Sequence, residues 1–426
     1  MEVDNIEEDN SMPLKDILPK NNYDTDDVDI PLVKPIITDW DVFLLISSIL
    51  MHLVDTVIDI SLAVRYLLAN KIHYFIWTAA MIIIPSLINV IISNRMQQQD
   101  QKQGQVASNE EDPGPKKSLR NKICFTIAII LQLAPVFHYA TVLKYALKSR
   151  KCGRQGDRTG KKHYYIKMLK EDQDVSLLRI FECFLEAAPQ QVLQLSILLK
   201  NYHNNFNIEF IHQVVSILSS LGSMSWAMAS YNESIRLAQH DKPNINKKAY
   251  IAQFCWHFLI TVSRILSISM IASIWPIYAV LACVCHWLAM TFLIVCESQG
   301  VLEFCRNYNQ APHITAKFKE RFLSFLFALV IGIVHIFIYL NPIDGKTFYR
   351  HIIYYSICFA ENVSASILWA LYCGEAAQNA WYYETILSVS NLSFILGIAG
   401  LLLYYTIFHP SFKKNKNRNS PEKEEN

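Results

Sequence analysis

Five carboxylates and three guanidiniums stand in stretches otherwise apolar enough to lie in lipid: Asp55, Asp59, Glu182, Glu186 and Glu361, with Arg65, Arg179 and Arg264. An ionisable group at bilayer depth costs about 2.5 to 3.5 kcal/mol on insertion scales. A chain carries such groups there only when they are paired or used. Carboxylates hold an amine and guanidiniums hold a phosphate, so mixed charge laid along a path can hand on a headgroup bearing both. The opposing reading is that the charges pair inside a helix bundle and fix its register. A register device needs one or two polar groups, whereas Asp41, Ser48, His52, Asp55 and Asp59 fall within about 60° of one another on a helix. From Asp41 to Asp59 that ladder covers roughly 27 Å, close to the hydrocarbon thickness. Farther on, Arg179, Glu182, Glu186 and Gln190 share one face, and Pro189 is placed to kink it.

The elements that must carry these residues are helices. Ten hydrophobic segments can be marked, at about 42–69, 72–93, 123–147, 175–200, 210–234, 250–273, 275–297, 322–340, 352–373 and 384–408. If all ten crossed, the basic loop at 148–170 would lie outside, against the positive-inside rule. Segment 123–147 is therefore expected to enter and return, with Pro135 supplying the break. The same test makes 322–340 re-entrant. The expectation is an all-α polytopic membrane protein with eight transmembrane helices plus two re-entrant helices, in two pseudo-symmetric halves, both termini cytosolic. Its divisions are an acidic tail (1–38), a first membrane half (39–236), a linker (237–249), a second half (250–409) and a basic tail (410–426).

Composition agrees with that class. Of 426 residues, 52% are hydrophobic, and the net charge of +2 is uneven. Residues 1–38 carry ten acids and three lysines, net −7, which with few aromatics marks a disordered tail. No signal peptide precedes the first apolar run near Val42, so the first helix is expected to act as its own targeting signal. The ten cysteines include no C-x-x-C pair and read as small core packers rather than metal ligands or disulfides. Nucleotide-binding, zinc-protease and serine-hydrolase motifs are missing, so an enzyme, a cofactor and a nucleic-acid partner are not expected.

The stretch Glu186-Ala187-Ala188-Pro189-Gln190-Gln191-Val192-Leu193-Gln194-Leu195 resembles a signature of the XK-related family of membrane proteins. Leu131-Gln132-Leu133-Ala134-Pro135 and the acidic first helix from Asp55 to Arg65 are similar to further family stretches, and the layout matches over about 39–409. The resemblance implies a plasma-membrane phospholipid scramblase working without ATP, its partners being membrane phospholipids. It also implies that a caspase can switch some members on by cutting a tail. Asp24-Thr25-Asp26-Asp27 and Asp26-Asp27-Val28-Asp29 have the D-x-x-D form, which makes Asp27 and Asp29 the candidate cleavage points. Two rivals stay open: a secondary transporter of a polar solute, and a non-transporting partner holding an accessory surface or lipid-transfer protein through the basic 144–170 stretch.

Overall fold

In the computed structural model, the described residues are 37–107, 134–200, 208–238, 245–296, 317–340 and 348–408. They belong to one unit, Pro35–Asn426, and every regular element among them is helical. The all-helical expectation holds.

Helix α1 (Asp39–Leu68) opens with a capping box. The Asp41 carboxylate accepts the Thr38 N–H at 2.8 Å, and Thr38 Oγ1 accepts the Asp41 N–H at 3.2 Å. Asp41, read above as the end of the polar ladder, is thus committed to the helix start. Helix α2 (Ile72–Ala107) follows, then α3 (Ala134–Arg154) and α4 (Arg158–Glu182). Pro135 is helical, within α3. Residues 108–133 lie outside the described residues, and the expected entry and return of 123–147 is described only from Ala134 onward.

The basic stretch at 148–170, read as a loop, is instead mostly helical. Helices α3 and α4 form a hairpin closed by residues 155–157, with Gly156 at φ +77° and Asp157 accepting the Gly160 N–H at 2.8 Å. Ser149 donates to the Lys161 carbonyl at 3.0 Å, and Lys148 lies 5.1 Å over the Tyr164 ring. Lys and Arg are good helix formers, so their charge marks solvent rather than irregular backbone.

Helix α4 runs without interruption through a π turn, Cys183–Ala187, into α5 (Ala188–Lys200). The Ala188 N–H bonds the Cys183 carbonyl, five residues back. Pro189 brings no N–H and crowds the carbonyl four residues earlier, and the wider turn absorbs that conflict. Its effect is a change of register in a continuous rod.

Six more helices complete the fold: α6 (Ile208–Ala238), α7 (Lys247–Ile274), α8 (Pro276–Cys296), α9 (Phe318–His335), α10 (Phe348–Tyr372) and the short α11 (Glu375–Gln378). Helix α12 (Tyr383–Leu403) then ends in a second π turn, Tyr404–Phe408. Helix α7 is the hub, packed against α5, α6, α8, α10 and α12. Its contact with α12 is close because Gly397 leaves room. A Cβ there would stand 2.7 Å from Ile260 Cδ1. The largest core gathers Leu178, Phe181 and Phe184 of the α4–α5 rod with Met224, Met228, Ile265 and Ile331.

Six helices among the described residues are long and apolar enough to cross a membrane: α1, α2 over Phe75–Met96, α7, α8, α10 over Tyr349–Tyr372, and α12 with its final turn. The α4–α5 rod and α6 are not among them. The rod is enclosed by other helices, so its carboxylates and glutamines need not face lipid. Helix α9 stops at His335, and residues 336–340 continue without helix while buried. Irregular backbone at membrane depth is tolerated only under such cover.

Candidate functional site

The eight charges fall into two clusters and one outlier. In the first cluster, α1 faces the α4–α5 rod. His52 is buried and its Nδ1 lies 2.9 Å from Glu182 Oε1. About two helical turns farther along α1, Asp59 faces both Glu186 and Gln190. The π turn lies between Glu182 and Gln190. Arg179 donates to the Tyr139 hydroxyl at 3.3 Å and neighbours Glu182. Asp55 is exposed and Asp59 half-buried. Glu186, Gln190 and Gln191 are buried. Around the stripe, α1 presents Leu53, Val54, Val57, Ile58 and Ile60 outward.

The second cluster is built on α7. All three guanidinium nitrogens of Arg264 are engaged: Nη2 with Glu361 Oε2 at 2.9 Å, Nη1 with Asn362 Oδ1 at 2.7 Å, and Nε with the Ile336 carbonyl at 3.0 Å. The irregular residues after α9 therefore supply one of the acceptors. Asn362 donates onward to Ser263, and Ser263 to the Ser390 carbonyl. Glu361 also meets His286. Its side chain is 37% exposed, against 3% for Arg264. It opens onto a cavity of about 740 Å³ between α7, α8 and α10, whose remaining wall is largely apolar.

Arg65 joins neither cluster. It is exposed in the last turn of α1. Asp27 and Asp29 lie outside the described residues. The sequence reading placed His52 in the polar ladder without its Glu182 partner, and it missed His286, which answers Glu361. Each is a single imidazole in an apolar run, and its partner is distant in sequence.

One more relay has the outline of a hydrolytic triad: Ser93 Oγ to His138 Nε2 at 2.7 Å, and His138 Nδ1 to Glu171 at 2.5 Å. Ser93 is interior to α2, where neighbouring N–H groups are bonded within the helix and cannot form an oxyanion hole. The relay ties α2, α3 and α4 together.

An all-helical, multi-pass membrane architecture with charges held between its helices defines the class. The XK-related protein family matches residues 43–410, and the chain belongs to that family. It is 28% identical over 382 residues to Cell death abnormality protein 8 of Caenorhabditis elegans, covering 87% of this chain and 79% of that protein. Against Cell death abnormality protein 8 of Caenorhabditis briggsae it is 27% identical over 418 residues, covering 94% and 86%.

Proposed function

We propose that the protein is a phospholipid scramblase of the plasma membrane, moving lipids between leaflets without ATP. The observation that carries this reading is the contrast between the two clusters. On α1 and the α4–α5 rod, Asp55, Asp59 and Glu182 stay exposed or partly exposed beside the buried Glu186, with apolar side chains on either side. A headgroup can travel along such a stripe while its acyl chains remain in lipid. The carboxylates meet the amine, and Arg179 supplies a phosphate partner. Arg264 and Glu361 serve each other and hold the second half together. Arg65 waits at one end of the route.

The fold proposed with this function has eight crossings and two re-entrant segments in pseudo-symmetric halves, with both termini cytosolic. The C. elegans and C. briggsae relatives take their name from cell death. That name supports a role in which a caspase cuts after Asp27 or Asp29, removes the acidic leader and switches the protein on. The deciding experiment uses liposomes with a fluorescent lipid in both leaflets and dithionite outside, with intact and caspase-treated protein. Quenching beyond the outer-leaflet half, faster after cleavage, supports the reading. Quenching that stops at half with both preparations overturns it.

A further inference from the structure

The 740 Å³ cavity holds donors that the headgroup route does not use. On α8, Cys283 and His286 stand one turn apart, and on α10 so do Cys358 and Glu361. Residues at this spacing project from one face of a helix. One member of the first pair meets both members of the second across the bundle: ligand atoms of His286, Cys358 and Glu361 all lie within 4.8 Å of one another. Cys283, His286 and Glu361 line the cavity, which gives an entry route.

The hydrogen bonds expose a conflict. His286 Nε2 lies 3.1 Å from the His335 carbonyl, which can only accept, so Nε2 carries the hydrogen. In a neutral ring, Nδ1 then holds a lone pair. That lone pair points at Glu361, 2.8 Å from Oε1 and 3.0 Å from Oε2. Two acceptors at this distance need a positive bridge, either a proton or a cation. Arg264 occupies Oε2 and leaves Oε1 facing the imidazole. A thiol beside both is what a soft-to-borderline cation adds to the choice. An imidazole whose other nitrogen donates to a carbonyl is the usual orientation of a metal-bound histidine.

We propose that His286, Cys358 and Glu361 bind one divalent transition-metal cation, zinc being the ion this donor set suits, with a fourth position open to water from the cavity. Binding displaces the Cys358 thiol proton and the proton between His286 and Glu361, which leave through the cavity. One thiolate and one carboxylate then balance the divalent ion. The ion would pin α8 to α10.

The test uses the full chain purified in detergent, stripped with a chelator, loaded with zinc or cobalt(II), and passed over chelating resin. One equivalent of zinc per chain is expected by elemental analysis, and the cobalt form should show a thiolate-to-metal band in the near ultraviolet. Cys358→Ser and His286→Ala should each lose the equivalent and the band, whereas Cys255→Ser, exposed elsewhere on α7, should keep both. Monodispersity by size exclusion confirms that each variant is folded. If Cys358→Ser proves misfolded, protection of Cys358 from alkylation by zinc in the unaltered chain provides the readout. No retained metal, equal retention with and without Cys358, or no protection overturns the proposal. None of these outcomes depends on lipid movement.

Discussion

At the scale of single residues, two carboxylates in apolar stretches end in different circumstances. Glu361 is answered by Arg264 and His286. Glu186 is buried and faces a second carboxylate, Asp59. Removing one member of a buried ion pair strands the other, at about 3–5 kcal/mol. Arg264→Met should therefore sharply lower the melting temperature in detergent and the yield of monodisperse protein, and adding Glu361→Gln should recover part of the loss. Melting equal to the parent would show that the pair is dispensable. The opposite pattern is expected at the open stripe. Asp59→Asn and Glu186→Gln relieve crowded carboxylates, so melting should stay level or rise. Scrambling in the dithionite assay should fall about tenfold, the change that ~1.4 kcal/mol in the barrier produces. Unchanged scrambling in both variants would remove these side chains from the route.

At the scale of elements, hydropathy made the six most apolar helices and their order legible, because a helix that touches lipid must advertise it. Helix ends were less legible. The α3–α4 hairpin continues helical far into charged sequence, where nothing apolar marks it. The π turn was not visible at all, since Cys183–Ala187 has no composition of its own and exists to accommodate Pro189. Nor could pairing partners be read: His52 and Glu182 stand 130 positions apart, and only the folded bundle brings them together. Pro189→Ala restores a backbone donor and allows the rod to relax to α-helical register. That would turn α5 by about one residue, roughly 100°, and carry Gln190 away from Asp59. Scrambling should drop while melting holds. Equal rates would mean that the π turn does not aim this face. A second test falls on the α7–α12 contact, where Gly397→Val places a methyl against Ile260. Overpacking of this kind costs about 1–3 kcal/mol, so a lower melting temperature is expected, and no change would show that the helices can part.

At the scale of the whole molecule, the question is which helices cross. The six most apolar ones alone would leave both termini and the basic hairpin on one side of the membrane, so charge placement cannot separate six crossings from eight. The difference lies in the α4–α5 rod and α6. From Val175 to Lys200 the rod extends about 39 Å at 1.5 Å per residue, and α6 with its 31 residues about 46 Å. Either exceeds the ~30 Å hydrocarbon core. Their weaker hydropathy follows from being shielded: Leu178, Ile180, Phe181 and Phe184 on the rod, and Met224, Met228 and Ala229 on α6, bury against protein. A helix wrapped by others can hold carboxylates and serines that a lipid-facing helix cannot. The two should therefore cross as a pair and present residues 201–207 outside the cell. A cysteine introduced in 201–207 should react with a membrane-impermeant maleimide on intact cells, above the parent's background, while one placed in 155–157 at the hairpin tip should react only after permeabilisation. If 201–207 also labels only after permeabilisation, the rod does not traverse the bilayer, and the Glu182–Glu186 stripe could not connect the two leaflets.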